Sequence, residues 1–134
     1  MTAVAAILEL LVASDVVAIC PATDIVAGVV AQGADLPAIS IMHISTVPFA
    51  AMDAQAEFNL VTSRVQVTAM AKDYPTVKTL LGAVRMACNY RRGLLAGVQV
   101  VSVVRDTVGP DLADDDATIH FQSMDFKVTF HEPN

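Results

Sequence analysis

Residues 60–88, LVTSRVQVTAMAKDYPTVKTLLGAVRMAC, contain the two clearest secondary-structure signals in the 134-residue chain. Apolar and polar residues alternate through residues 60–70, which predicts a strand with one buried face. Beyond it Asp73 can cap a helix and Pro75 suits the first turn of that helix. Apolar side chains then recur at helical spacing as far as Asn89, at Val77, Leu80, Leu81, Val84 and Cys88. The stretch therefore predicts a strand, a short turn and an amphipathic helix.

Upstream of this stretch the sequence predicts a second helix and a second strand. Residues 2–13 follow Thr2, a candidate N-cap, and carry apolar side chains at helical spacing, at Val4, Ile7, Leu8, Leu11 and Val12. Pro21 limits any helical turn over residues 16–19, so residues 20–37 are predicted to be irregular. Pro37 favours extended geometry before it, and residues 38–47 are predicted to form a strand with two partly apolar faces.

Downstream, the Val-rich residues 97–105 predict a strand with Val98, Val100 and Val104 on one face and Val101, Val103 and Arg105 on the other. Such a strand is expected to lie centrally in a sheet or beneath a partner. Gly109 and Pro110 open an acidic turn or mobile loop, and residues 117–131 predict a last strand. Its apolar face changes phase, which predicts a bulge near Gln122 and Ser123 or a contact of its first half with a second subunit.

Together these segments predict one α+β domain spanning residues 1–134. Its expected architecture is about four strands in a mainly antiparallel sheet, packed against two main helices. A chain of 134 residues is long enough to bury one core and leaves little room for two.

Composition limits the classes of partner. Hydrophobic residues make up 54% and charged residues 16% of the chain, so part of the apolar surface is expected to meet a partner, unless Ala and Val simply lie on the surface. A net charge of −6 disfavours direct DNA binding. The apolar stretch 16–34 is interrupted by polar residues, Gly and Pro, and no basic residue precedes Arg64. We therefore expect no membrane partner and no secretory signal, with the protein remaining in the cytoplasm where it is made.

The sequence predicts no enzyme. His43, His120 and His131 are isolated histidines without metal-ligand spacing, and Cys20 and Cys88 lack a CxxC arrangement, which favours free buried thiols. The chain contains no GxSxG or GxGxxG motif, and its acidic loop lacks the spacing of a calcium-binding EF-hand. We expect no catalytic residue, no metal and no cofactor.

Candidate functional residues are instead residues of interaction surfaces. The connection 48–59 contains Phe49, Met52 and Phe58, which either contact a partner or pack back onto the domain's own sheet. The remaining candidate interface residues are Arg64, Arg91, Arg92, Arg105, Ile119 and Phe121. Arg91 and Arg92 form either a solvated helix end or charge pairs between subunits. The acidic loop with Asp111, Asp114, Asp115 and Asp116 likewise forms either a solvated turn or charge pairs between subunits.

Three stretches carry a family resemblance. The first is the helix AAILELLVASDVVAIC followed by QGADLP at 32–37 and AISIMHIS, the second is the strand, turn and helix at 60–88, and the third is the closing SMDFKVTFHE. In order and spacing they resemble the tail-completion family of long-tailed phages, the tail terminator or head-to-tail joining proteins. The departures from the family pattern are Val26, where an aromatic is expected, and the Ala-rich residues 50–56.

The resemblance implies a structural virion protein. Such a protein forms a closed ring, a hexamer, which caps the head-proximal end of the tail tube and joins the tail to the head. The implied partners are further copies of the chain, the tail tube protein and the head-completion or neck proteins, and DNA passes through the ring without specific binding. If the acidic loop lined the channel, charge repulsion would keep DNA from adhering to it.

Two alternatives remain. A head-completion or neck connector protein stacked on the portal would share the size, the acidity and the ring. A small-molecule-binding or hydrolase-like α+β domain would hold a pocket between helix and sheet, although the sequence offers no set of convergent polar residues for it.

Overall fold

The computed structural model describes residues 2–28, 35–48, 58–114, 116 and 118–133. In chain order the elements are helix α1 (Thr2–Val12), strands β1 (Ile25–Ala27), β2 (Ala38–Pro48) and β3 (Phe58–Ala71), helix α2 (Tyr74–Cys88), and strands β4 (Gly93–Leu95), β5 (Val98–Val108), β6 (Leu112–Ala113) and β7 (His120–Pro133). Two 3-10 turns, Asp15–Ala18 and Ala22–Asp24, lead from α1 to β1. Both predicted helices and the four predicted strands are found close to their expected positions.

All of the strands belong to one sheet with the order β1-β2-β3-β7-β5-β4, and β6 pairs with β7 beyond the end of β5. β1 runs parallel to β2, and every other pair is antiparallel. The centre is the β3–β7 ladder, which is continuous over the 14 residues of each strand. The sheet curves as a half-barrel around the two helices.

The core lies between the inner face of the sheet and the helices. Every second residue of β3 is buried there, and β7 contributes Met124, Phe126, Val128 and Phe130. Ile7 and Leu11 of α1 and Leu80 and Val84 of α2 are fully buried against them. Burying one such side chain contributes about 1.5–3 kcal/mol, so the aligned apolar faces hold the two layers together.

The expectation of about four strands in a mainly antiparallel sheet is wrong, because the described residues form seven strands in a mixed sheet. The three additional strands, β1, β4 and β6, have only two or three residues each. Strands of two or three residues are too short to show an alternation of apolar and polar residues in the sequence. Each is defined by its hydrogen bonds to a longer neighbouring strand. β1 lies within the segment predicted to be irregular, and β6 lies within the predicted acidic loop.

The bulge predicted near Gln122 and Ser123 is absent from the β3–β7 ladder, where both residues keep the regular register. The phase change arises because Phe121 faces outward while Gln122 faces the core and is 6% exposed. The Gln122 side chain is satisfied there, since Oε1 accepts from Lys78 Nζ at 2.7 Å and Nε2 donates to the Gly109 carbonyl at 2.7 Å. A buried amide can thus interrupt an apolar face without a break in register.

The expected division of the faces of β5 is also wrong. Its register with β7 shifts between Val100 and Ser102, so Val98, Val100 and Val103 are buried whereas Val104 faces outward. A bulge reverses the alternation that sequence reading assumes. Rather than lying centrally, β5 is the neighbour of the short edge strand β4.

Candidate interaction surfaces

The outer face of the sheet, turned away from the helices, is polar along its centre. It carries Thr62, Arg64, Gln66 and Thr68 of β3 and Ser123, Asp125, Lys127 and Thr129 of β7. Hydroxyl groups pair across the two strands, Thr62 with Thr129 at 3.1 Å and Thr68 with Ser123 at 2.8 Å. These pairs stabilise the central ladder from the outside.

A network of four charges occupies the middle of this face. Arg64 donates to Asp125 through Nη2 at 2.5 Å and through Nε at 2.8 Å, and Arg64 Nε lies 3.7 Å from Asp106. Lys127 Nζ lies 3.9 Å from the other oxygen of Asp106. The two positive and two negative charges of this network sum to zero. Arg64, a predicted interface residue, is therefore engaged within its own subunit.

β2 leaves part of its outer edge open. β1 pairs only with residues 39–41, and the Gly28 N–H donates to the Ile41 carbonyl at 2.8 Å, so within the described part of the chain nothing pairs with residues 42–48 on that side. This segment exposes Met42, Ile44 and Val47, and Val47 is 63% exposed. The bulge at Ile44 and the terminal Pro48 are features that limit uncontrolled edge-to-edge pairing.

In the acidic connection between β5 and β7, residues 109–119, the carboxylates of Asp111 and Asp114 accept hydrogen bonds from their own subunit. Asp111 accepts from Lys78 Nζ at 2.5 Å and from the Tyr74 hydroxyl at 3.0 Å, and these hydrogen bonds hold the pKa of Asp111 below its ordinary value. Asp114 accepts from the Ile119 N–H at 3.0 Å and from the Thr118 N–H and hydroxyl at 2.8 Å, which lowers its pKa as well.

The predicted channel-facing residues thus differ in their surroundings. The carboxylates of Asp111 and Asp114 are held by their own subunit, whereas Asp116 is exposed and Asp115 lies outside the described residues. Leu112, on the two-residue strand β6, is 46% exposed between them. Whether these groups face a channel stays a prediction.

Residues 85–94, the α2–β4 corner, carry the most exposed apolar side chains of the described chain. Met86 is 70% exposed, Tyr90 79% and Leu94 71%. Tyr90 takes the left-handed conformation, with φ of 64°, common in the residue after a helix C-cap. Sequence reading named Arg91 and Arg92 of this surface but missed its apolar residues, although Met86 is an apolar residue outside the buried face of α2 and was recognisable from its spacing.

The predicted interface residues of the corner have unequal roles. Arg91 donates from Nε to the Ala87 carbonyl at 3.1 Å and from Nη2 to the Met86 carbonyl at 3.3 Å, so it caps the end of α2. Arg92 is exposed. Arg105 is also exposed, and its backbone N–H donates to Asn89 Oδ1 at 3.0 Å, which ties β5 to the corner.

The other predicted interface residues lie elsewhere. Phe121 is half-buried on the outer face opposite Met70, and Ile119 is half-buried beside Asp114. Phe58 begins β3, but its side chain lies outside the described part of the structure, as do Phe49 and Met52 altogether. The predicted interface residues that the structure describes are therefore not brought together into one surface.

Cys20 and Cys88 are both buried in the core as free thiols. Burial raises the pKa of Cys20 to about 11 and that of Cys88 to about 12, which keeps both free thiols protonated at neutral pH. Within residues 2–28, 35–48, 58–114, 116 and 118–133, no three His, Cys, Asp or Glu side chains come together as a metal site would require. In the same residues no helix is long and apolar enough to span a membrane.

No family model matches the sequence, and no curated protein matches it. Among solved structures the chain is similar to a chain of a structure described as the virion of a native gene transfer agent (GTA) particle. The two chains are 14% identical, the match covers 96% of this chain and 93% of that chain, and the TM-score is 0.71. At this identity the similarity shows a shared fold, and it extends over nearly the whole of both chains.

Proposed function

We propose that this chain is a structural protein of a phage-like virion, a tail-completion protein whose copies form a ring at the head-proximal end of the tail tube and join the tail to the head. The observation that carries the proposal is the fold shared, over 96% of this chain, with a chain of a gene transfer agent virion. The resemblance of the sequence to the tail-completion family adds the position at the tail end.

The surfaces of the subunit support an assembling role. The described residues offer three separate exposed regions, which are the open β2 edge, the apolar and basic α2–β4 corner and Leu112. Proteins that assemble into rings through heterologous contacts need at least two different surfaces, one for each neighbour. A ring in contact with a tail and a head needs further surfaces on its two ends.

The outer face of the sheet suits a protein that DNA passes without adhering. Its central charges are paired within the subunit, and its remaining central groups are hydroxyls and amides. Affinity for DNA depends on unpaired Lys and Arg that displace counterions from phosphates. A neutral, internally satisfied face supplies little of that attraction.

The first test is the assembly state. Native mass spectrometry of the purified protein over a concentration series, with negative-stain images of the large species, should give one closed ring of fixed copy number, with six copies expected. An open series of oligomers, or filaments, would contradict a ring-forming protein.

The second test is the binding position. Purified protein is added separately to tails assembled without it and to DNA-filled heads without tails, and gold-labelled copies are located by electron microscopy. Labelling of one tail end supports the tail-completion role. Labelling of the portal vertex of heads alone would instead support a neck connector, and labelling of neither would remove the virion-joint proposal.

A further inference from the structure

We propose that the α2–β4 corner of one copy receives the β5–β7 connection of a second copy, with Leu112 packed beside Met86 and Asp116 paired with Arg92. The inference rests on the proposed function, because it assigns the surfaces through which copies of the chain meet. It commits to one occupant for the corner, which is another copy of the same chain.

The corner has the composition of a contact surface. Met86, Tyr90 and Leu94 are each at least 70% exposed, and Arg85 and Arg92 are exposed among them. Large apolar side chains mixed with Arg are enriched in protein interfaces. Residues 74–105 contain five basic residues and no acidic one, the basic residues being Lys78, Arg85, Arg91, Arg92 and Arg105.

An open groove of about 410 Å³ runs beside Met86, between α2 and the 3-10 turn that follows α1. Gly82, Ala83 and Ala87 form its floor, and this volume is ample for one aliphatic side chain. Asp15 and Arg91 also face the groove, so its own charges balance. The positive excess of the corner therefore comes from Arg85 and Arg92 outside the groove.

The β5–β7 connection has the complementary composition. Residues 111–116 contain four acidic residues and no basic one, the acidic residues being Asp111, Asp114, Asp115 and Asp116. Leu112 protrudes from this acidic segment with 46% of its surface exposed. Since Asp111 and Asp114 are held by their own subunit, Asp116 is the described carboxylate left to pair with a neighbour. An aliphatic side chain surrounded by acids fits an apolar groove surrounded by arginines.

Within one copy the two surfaces occupy different places: the connection is attached to α2 at Lys78, and Met86 lies eight residues, about 12 Å, further along that helix. Leu112 pairs with Phe121 of β7, whereas Gly93 pairs with Val100, which pairs with Phe130. Phe130 lies nine positions beyond Phe121 along β7, so these two strand positions are about 30 Å apart at roughly 3.3 Å per residue. We therefore assign the partner of each surface to another molecule. Such a contact is heterologous, and it forms a ring when its rotation closes.

A mixing experiment tests the contact. The corner variant carries Met86→Ser and Arg92→Asp, and the connection variant carries Leu112→Ser and Asp116→Asn. All four positions are exposed, so both variants should fold, which circular dichroism and urea unfolding verify. Lys72→Asp, a charge reversal on the turn before α2, is the matched control. Sedimentation velocity over a concentration series then measures the assembly of each protein.

We expect the wild type and the control to form species larger than a dimer. Each variant alone should have its dissociation constant raised about tenfold or more, the effect expected when a central apolar anchor and a charge are both lost. An equimolar mixture should form a one-to-one heterodimer and stop there, because it contains one intact contact and no means of extending it.

Any of four results would overturn the contact. If both variants assemble like the wild type, other surfaces hold the ring, and the proposed function stands without this contact. If the mixture stays monomeric, or if wild-type protein stays monomeric while labelling tail ends, the two surfaces do not recognise each other. Loss of duplex-DNA binding in the corner variant would assign the corner to phosphate recognition instead.

Discussion

Arg64 on β3 and Asp125 on β7 form a two-point ion pair across the central ladder, with 2.5 Å between Nη2 and Oδ2 and 2.8 Å between Nε and Oδ2. The pair is diagonal, because the residue directly opposite Arg64 is Lys127. Two basic side chains directly opposite each other repel and destabilise a sheet, unless carboxylates nearby offset the repulsion. Asp125, which is 5% exposed, and Asp106 supply those acids.

Removing the buried carboxylate should therefore weaken the centre of the fold. We expect Asp125→Ala to lower the free energy of unfolding by about 1–3 kcal/mol, the range for a lost hydrogen bond to a charged group. The Arg64 side chain is 41% exposed and can recover solvation, which keeps the loss below that of a fully buried pair. Urea unfolding measures it. Asp106→Ala should cost less than about 1 kcal/mol, and equal losses in the two variants would contradict the assigned roles.

The packing of helix α1 against the sheet should depend on Leu11 and not on its neighbour Val12. Leu11 is fully buried, whereas Val12 is 41% exposed. We expect Leu11→Ala to lower the free energy of unfolding by about 2–5 kcal/mol and Val12→Ala by less than about 1 kcal/mol. Similar urea midpoints for the two variants would show that α1 does not pack against the sheet in this register.

The attachment of the acidic connection to α2 should depend on pH. Asp111 has a pKa below its ordinary value of 3.8 because Lys78 and Tyr74 donate to it. Its stabilising contribution is therefore present above pH ~4 and lost as the pH falls through the lowered pKa. The pKa of Lys78 is raised above 10.5, so the contribution of Lys78 persists at neutral pH and is lost as the pH rises through that raised value.

A carboxyl-carbon NMR titration tests this attachment residue by residue. In the Lys78→Ala variant the midpoint of Asp111 should move up toward 3.8. Asp114 is an internal control, because Ile119 and Thr118 lower its pKa and the substitution leaves both in place. A shift of both midpoints, or of neither, would contradict the separate attachments.

The two thiols should be inert in the folded protein. The raised pKa values of about 11 for Cys20 and about 12 for Cys88 leave almost no thiolate at pH 8, and both side chains are fully buried. We expect a thiol-specific chromophore to label neither residue in native protein and both in urea. Because an unfolded thiol ionises near pH 8.5, stability should fall as the pH rises from about 9 through these values. Rapid labelling at pH 8 without denaturant would contradict the burial.

Sequence reading succeeded where an element generates its own pattern. The alternation through residues 60–70 and the helical spacing from Val77 to Cys88 each record one buried face, and both elements form there. The same reading failed for Gln122 and Val104. An inward amide satisfied by Lys78 of α2 and a bulge in β5 after Val100 depend on groups from other elements, which local spacing does not record.

The sequence by itself determined the two helices, the four long strands and the separation of charge into a basic stretch at 74–105 and an acidic one at 111–116, because these depend on residues near one another in the chain. Only the tertiary structure decided that β1, β4 and β6 complete a mixed sheet, with seven strands among the described residues, since strands of two or three residues exist through the hydrogen bonds of their neighbours. It also decided that Arg64, Arg91, Asp111 and Asp114 are engaged within the subunit while Met86, Arg92, Leu112 and Asp116 stay exposed. Which side chains are free to meet a neighbour depends on the contacts each makes after folding, and distant parts of the chain supply those contacts.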